Sequence, residues 1–496
     1  MKPYRLFSCR GVKFAYHLGL GKFLTLAPDA WEMLALRRTR PRAAAEAAFR
    51  RARRRSAKTV LADMRRLEAD GFFEPASKAL CDDATFEKAL LARENAPTTT
   101  LELSLSEKCN LACRYCYCGT CRGELPRGGL MSGGTAARAV EWLFAGSGEN
   151  DVNVTFFGGE PLLNKRVLKS TVALCEKRAK ERGVKVTFSM TTNGTLVDDE
   201  TADFIAAHGF SLMVSLDGPR EIHDAQCPTR GGRGSWRAAV AGAQRLMARC
   251  PSLSVRCTMS HPAPDMMKLV RFFDGLGFSR IVMGPAVNPQ FPSRCDFLEE
   301  DRLSVAGQMA DEIVPWMLAE IAAGREPKFD PFADLEATQL SGVPSPPYAM
   351  KCGACHGTVT VGADGRMYPC HRFAGQKARV LGTLESGPSP EARRAFWRGY
   401  RECIKKTCSG CWAYRLCGGP CPWEISRIDG SFKADPAICR DVKRCLKLGA
   451  WYLDLKRRMK TQQKKEQNAN TEKIRCKTAG DHRRRCFMHD ALGRAE

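Results

Sequence analysis

The sequence predicts an α/β protein whose centre is a parallel βα array of six strands, a partial (β/α)6 barrel. A small winged-helix-like domain precedes it and a cysteine-dense module follows. Three observations predict this. From residue 98 onward, β-rich runs alternate with amphipathic stretches of 10 to 18 residues, and parallel neighbours require such crossovers. Before residue 98, three short β-like runs are followed by Arg-rich helical segments. After residue 352, cysteines crowd a stretch with many Gly and Pro and little periodicity, the pattern of a module held by metal more than by an apolar core.

Residues 4 to 26 (RLFSC, KFAYHL, KFLTLA), broken at Arg10-Gly11 and Gly19 to Gly21, read as three strands. Pro28-Asp29 opens a helix, and further helices run from about 42 to 72. Nine Arg between 37 and 55 offer a basic face or an ordinary solvated helix surface. This domain is assigned residues 1–92. The array spans 98–325, with strands at TTLELSLS, VNVTFFGG, VKVTFSMTTNG, FSLMVSLDG, LSVRCTMS and SRIVMGPAV. Helical stretches lie between them near 134 to 146, 165 to 182, 198 to 208, 235 to 250 and 265 to 276, and one more helix covers 300 to 325. In such arrays function sits at the carboxyl ends of the strands. A Pro/Gly/Ser-rich connection near 341 to 348 leads to the cysteine module, 346–450. Residues 456–496 hold 13 Lys or Arg against 5 Asp or Glu and read as a short helix running into a disordered basic tail.

Composition narrows the class. The chain has 496 residues, 44% apolar and 27% charged, which excludes collagen-like and wholly disordered proteins and suggests about three domains. No window reaches the roughly 18 uncharged apolar residues of a membrane span. The opening MKPYRLFSCRG lacks an apolar h-region, so the expected compartment is the cytoplasm. The net charge of +24 favours an acidic partner without choosing among nucleic acid, an anionic surface and a peptide. The 24 Cys point to metal or redox chemistry ahead of disulfides.

Directly after the first array strand, EKCNLACRYCYC places Cys109, Cys113 and Cys116 in a C-x3-C-x2-C loop. Three thiolates so close can bind three irons of a cubane cluster and leave the fourth iron open. A zinc site would instead want four ligands in paired hairpins. Gly158-Gly159-Glu160-Pro161 ends the second strand, Thr192-Asn193-Gly194 the third, and Ser215-Leu216-Asp217-Gly218-Pro219 the fourth. Each of these alone is ordinary turn chemistry. Their joint order is not.

In this arrangement the chain resembles the radical S-adenosylmethionine (SAM) superfamily. The resemblance implies an iron-sulfur [4Fe-4S] cluster on Cys109, Cys113 and Cys116, with SAM on its open iron. It implies that Tyr115 faces the adenine and that Gly158, Gly159 and Glu160 serve the SAM ammonium. Asn193 would serve the ribose side, and Ser215 and Asp217 the methionine side. The product of SAM cleavage would be a 5′-deoxyadenosyl radical. One departure stands out. Where close relatives carry Arg before Pro, this chain has Cys227, with Arg230 as the candidate substitute. Cys118 and Cys121 crowd the loop without ligand spacing.

The second constellation reads Cys352-x2-Cys355-x9-Gly365-x4-Cys370, then Cys408-x2-Cys411-x5-Cys417-x3-Cys421, then Cys439. It resembles the SPASM extension of peptide-modifying radical SAM enzymes, which carries two auxiliary [4Fe-4S] clusters; paired zinc ribbons are the alternative. The resemblance assigns Cys408, Cys411, Cys417 and Cys439 to one cluster. Cys370, Cys421 and one or both of Cys352 and Cys355 go to the other, and Cys355 falls where relatives with Cys-Gly-Ala-Gly have glycine. The implied activity is maturation of a ribosomally made peptide or protein, with thioether crosslinks from substrate Cys preferred. Formylglycine installation in sulfatases is the alternative. Members of that branch have Asp after the auxiliary cysteine, where Tyr368-Pro369-Cys370 is here followed by His371. The N-terminal domain would take a leader peptide by β-augmentation, and a low-potential donor would supply the electron. No membrane partner is expected. A remoter reading is a redox-sensing nucleic-acid binder, which leaves the strand-end motifs unexplained.

Overall fold

A computed structural model describes residues 3–75, 81–118, 128–341 and 352–492, with side chains to residue 466. The expected linker 342–348, Cys121 and the side chains of the basic tail beyond 466 lie outside the described residues.

Three antiparallel strands open the chain: β1 (Tyr4–Cys9), β2 (Val12–His17) and β3 (Lys22–Leu26). The β1–β2 hairpin closes through Arg10 and Gly11 at φ 49° and 76°, the two positive φ values that match the twist of a two-residue hairpin. Alternation sends Tyr4, Leu6 and Ala15 to one face, where Met33, Leu34, Phe49, Leu61 and Phe72 cover them. These come from α1 (Pro28–Thr39), α2 (Arg42–Ala52), α3 (Ala57–Ala69) and the turn that follows. The opposite face is apolar too: Phe7, Phe14, Tyr16 and Phe23 pack with Trp412, Leu416 and Ala450 of the C-terminal module. Of the Arg-rich run, Arg37, Arg42 and Arg53 pair with Glu68, Glu46, Asp29 and Glu32 inside the domain.

The N-terminal core ends with Phe72, earlier than the expected boundary at 92. The next helix, α4 (Asp83–Glu94), buries Phe86 and Leu90 in the large central core instead, and Arg401 both pairs with Asp83 at 3.0 Å and lies over the Phe86 ring at 4.4 Å.

The central sheet runs β4 (Thr100–Ser106), β5 (Val152–Gly158), β6 (Val186–Thr192), β7 (Ser211–Ser215), β8 (Ser254–Met259) and β9 (Arg280–Pro285), parallel and in chain order. All six expected strands are present. The crossovers are α5 (Gly133–Gly146), α6 (Lys165–Arg182), α7 (Asp199–Ala207), α8 (Arg220–Gln226), α9 (Trp236–Met247) and α10 (Met266–Leu276). Ser132, Asp198 and Asp265 cap α5, α7 and α10 by accepting the backbone N–H three residues on. The segment expected as one helix at 300 to 325 consists of α11 (Glu299–Gln308), a π turn (Met309–Ile313) and α12 (Val314–Ala322). Pro315 lacks the N–H that α geometry needs there, and the wider turn accommodates it.

The cysteine module also extends the central sheet. Its β10 (Thr358–Val361) pairs parallel with β4, and β11 (Arg366–Tyr368), β12 (Gly382–Thr383) and β13 (Gly387–Pro388) extend the sheet to ten strands. The expectation of a module without much apolar core is thereby corrected: Val359, Val361, Met367, Phe396 and Trp397 join the central core. Strands of two to four residues are too short for a period of two to be read. The last helix, Pro436–Leu492, also departs from the expected short helix and disordered tail. No proline follows Pro436, and Lys, Arg, Gln and Glu favour helix.

The end of β5 is bound tightly to the end of β4. Gly158 has φ 135°, and a Cβ there would stand 2.2 Å from the Ser106 carbonyl oxygen. The N–H of Gly159 donates to that oxygen at 2.6 Å and the N–H of Glu160 to the Lys108 carbonyl at 3.0 Å. Gly158→Ala should therefore lower stability by roughly 1–3 kcal/mol, read as a fall in Tm, whereas Gly146→Ala, which meets no neighbouring atom, should not.

Candidate functional site

A cavity of about 780 Å³ opens at the carboxyl ends of the strands. Cys109, Cys113 and Cys116 all line it, together with Tyr115, Gly158, Gly159, Glu160, Asn193 and Ser215. Asp217 stands behind this wall and reaches it through Tyr115, whose hydroxyl donates to the Asp217 carboxylate at 2.6 Å. The residues singled out from sequence after strands one to four thus converge on one space.

The cysteine loop is held from two sides. Leu111 makes an antiparallel bridge with Thr229. The N–H groups of Ala112 and Arg114 donate to the carbonyls of Pro228 and Gln226, and that of Arg230 to the carbonyl of Asn110. Arg230 Nε also donates to the Cys109 carbonyl at 2.6 Å, so the arginine considered as a substitute contacts the loop backbone. On the other side, Asn193 donates to Asn110 Oδ1 at 2.9 Å and Asn110 to Thr195 at 2.8 Å. Asn193 Nδ2 lies 3.8 Å from Cys109 Sγ.

Glu160 is buried and anchored. Its carboxylate accepts from Thr192 Oγ1 at 2.7 Å and from the backbone N–H groups of Asn193 and Leu162 at 2.8 and 3.1 Å. It ties the second strand end to the third, an internal role beyond the ammonium contact implied by resemblance. Burial pushes its pKa up to about 7. Asp217 is similarly engaged by Tyr115, the Thr258 N–H at 2.9 Å and Cys227 Sγ at 3.4 Å. His223 Nδ1 accepts from the Asp217 N–H at 3.2 Å. Asp217, His223 and Cys227 could in principle hold an ion, but their polar atoms are taken up by Tyr115, Thr258 and Ser235. Cys227 occupies the buried space beneath Tyr115, 3.1 Å from its hydroxyl.

Burial, with Glu160 and Cys113 adding, pushes Cys109 up to about 12. Burial and the neighbouring Cys118, Cys113 and Cys109 raise Cys116 as well. Thiols so raised are unreactive unless a metal takes the proton's place. Converging sulfurs on a loop fixed by backbone hydrogen bonds fit a cubane cluster, and the adjoining cavity fits a nucleoside-sized ligand.

The C-terminal cysteines fall into two sets. Cys408, Cys411, Cys417 and Cys439 line one small apolar void, and burial together with the other three thiols pushes Cys408 up to about 12. Burial and the proximity of Cys370 and Cys352 raise Cys355, while Cys421 and Cys352 lie near Cys370. Cys355 is buried at φ 67°, a left-handed conformation suited to glycine, and both it and Cys352 sit in reach of the second set.

Sequence reading named His371 without placing it in this wall, and did not single out Arg256, Tyr117 or Arg372. Arg256 comes from β8, and Tyr117 from the loop. His371 and Arg372 come from the turn after Cys370. His371 is fixed by Glu102 of β4, which accepts from its Nδ1 at 3.0 Å and its N–H at 2.8 Å. Its ring lies 4.1 Å from Phe157. Glu102 remains below the usual carboxylate range because these bonds and one from Thr360 outweigh its burial. An Arg inside a β-run gives no period-based signal; the His371 contact needs β10 in place beside β4.

Residues 103–272 match the radical SAM superfamily model. The serine-type anaerobic sulfatase-maturating enzyme of Klebsiella pneumoniae is 25% identical over 350 residues, 67% of this chain and 84% of that one. The cysteine-type enzyme of Clostridium perfringens strain 13 is 23% identical over 341 residues, 66% and 89%. Among solved structures, native anSMEcpe with bound AdoMet aligns at TM-score 0.61 and 20% identity over 73% of this chain and 99% of its own, a likeness of fold. Residues 103–272 thus carry a radical SAM domain. No described helix is long and apolar enough to cross a membrane.

The raised Glu160 carboxyl gives a pH dependence with a definite sign. A carboxyl with pKa near 7 folded and 4.5 in its ordinary state contributes stability fully present below about 4.5 and lost as pH rises through 7. The denaturation free energy should fall between pH 5 and pH 8 by on the order of 3 kcal/mol from this group, and Glu160→Gln should show a shallower fall.

Proposed function

We propose that the chain matures a ribosomally made peptide or protein, joining a substrate Cys to another residue through a thioether bond. The observation that carries this reading is the shared cavity: the cysteine triad and the His371-Arg372 turn, next to auxiliary Cys370, line one space. A substrate side chain held there lies between the site of radical formation and an electron acceptor.

Cys109, Cys113 and Cys116 would hold the first cluster, with Cys408, Cys411, Cys417 and Cys439 and then Cys352, Cys355, Cys370 and Cys421 holding the auxiliary two. The bound cluster and SAM supply a 5′-deoxyadenosyl radical able to take hydrogen from unactivated carbon. The protein's own residues place the substrate and exclude water. The Glu102–His371 pair would take up the substrate thiol proton: Glu102 fixes Nδ1, leaving Nε2 toward the cavity. Each crosslink removes two hydrogens from the peptide, one as a hydrogen atom and the other as a proton and an electron; His371 would take the proton, and the cysteine-held groups would supply the acceptors for the rest.

Formylglycine formation is the second reading, favoured by the names of the relatives. Native anSMEcpe, similar to this chain in fold at TM-score 0.59, is known with a bound Cp18Cys peptide. Mass spectrometry after anaerobic turnover separates the readings. A thioether leaves sulfur in place with two hydrogens fewer, whereas formylglycine from Cys exchanges sulfur for oxygen. Cys113→Ala should abolish release of 5′-deoxyadenosine. Cys417→Ala should retain it while losing peptide product, and equal loss of both with the first cluster intact would overturn the division of labour.

A further inference from the structure

Among the described residues of the cavity wall, the side chains of Arg256 and Arg372 make no ion pair. Arg256 projects from β8, and Arg372 from the turn after Cys370; both line the cavity. The main-chain carbonyl of Arg256 accepts from the Leu216 N–H at 3.0 Å, while its side chain makes no ion pair with a described residue and only senses the Asp217 charge from a distance. Its guanidinium lies against Gly284 of β9, where a Cβ would come within 2.6 Å of Nη2, so the neighbouring strand leaves room for it. Arg372 stacks over Tyr117 and Trp423 at 5.2 and 4.7 Å, contacts that leave the edge of the fork available. Burial lowers Arg256 from its ordinary value and the charge of Arg372 lowers it further, as expected of two like charges that sense each other.

The carboxylates nearby are occupied. Glu160, the acidic residue of the cavity wall, is bound to Thr192, Asn193 and Leu162. Glu102 is held by His371 and Thr360, and Asp217 by Tyr115, Thr258 and Cys227. Glu424 is close enough to feel the charge of Arg372 but forms no ion pair with it. Two guanidinium groups facing a half-enclosed space are costly unless an anion enters between them. The planar forks fit a carboxylate bidentately.

We propose that Arg256 and Arg372 form a clamp for the side-chain carboxylate of an Asp or Glu in the substrate peptide, next to the residue that is modified. One arginine comes from the barrel and the other from the cysteine module, so the clamp would seat the peptide between the first cluster and Cys370. This rests on the peptide-maturation reading above and adds the substrate's chemical class to it.

The test uses the full chain, cluster-loaded and with SAM, against an equimolar set of synthetic Cys-containing peptides whose residue beside Cys is Asp, Glu, Asn or Gln. Captured peptide is quantified by mass spectrometry. The native protein should retain the acidic members about tenfold over their amides, the size of one lost charge-assisted hydrogen bond. Arg372→Gln and Arg256→Gln should bring the ratio near one, and Arg372→Lys should keep part of it; Tm verifies that each variant is folded. Because the chain's +24 charge attracts acidic peptides generally, an unchanged ratio in Arg372→Gln would overturn the clamp. So would equal retention of acid and amide by the native protein, or a loss of SAM binding in Arg372→Gln with the peptide ratio intact, which would assign the cation to the cofactor's carboxylate. Failure of the maturation reading looks different: no peptide then loses hydrogens on turnover, whereas failure of the clamp alone leaves acidic and amide peptides modified alike.

Discussion

The close approach of the Gly158 backbone to Ser106 is the constraint on which the site depends. It brings the end of β5 against the end of β4, where the cysteine loop begins. Glu160 then transmits that position to β6 through Thr192 and Asn193, and Asn193 returns to the loop through Asn110. The result is a closed circuit of short contacts around the first thiol. A loop whose sulfurs must meet a rigid inorganic cluster needs such fixing, because an error of an ångström in one ligand is not absorbed by the metal.

The same economy governs the buried polar groups. Glu160, Asp217 and Glu102 are each satisfied by several protein donors, so burial does not leave them as loose charges. Among the described wall residues, the side chains of Arg256 and Arg372 are left without an ion pair. The cavity wall is therefore biased toward accepting negative charge, from the cofactor and from the substrate, while its own acids serve as structural braces.

Much of this was legible in the chain. The parallel array and its crossovers follow from periodicity and turn residues, while the roles of the strand-end motifs and the grouping of the C-terminal cysteines came from the family resemblance. Three things were not. The continuation of the sheet into the cysteine module rests on strands of two to four residues, which carry no period. The membership of α4 in the central core rather than the first domain depends on Phe86 and Leu90 finding partners far along the chain. Arg256 and Arg372 look like ordinary charged residues until the fold brings residues 116 positions apart to one cavity. Glu160 was found by motif, but its bonds to Thr192 and Asn193 are tertiary facts.

The first sheet has two apolar faces, and its second one rests on Trp412, next in sequence to Cys411 and 5.9 Å from Phe7. The seating of the opening domain is thus mechanically joined to the segment that carries the four-thiol set. One side chain therefore serves two neighbours: a cavity opened at Trp412 would loosen the opening sheet and the Cys411 turn together.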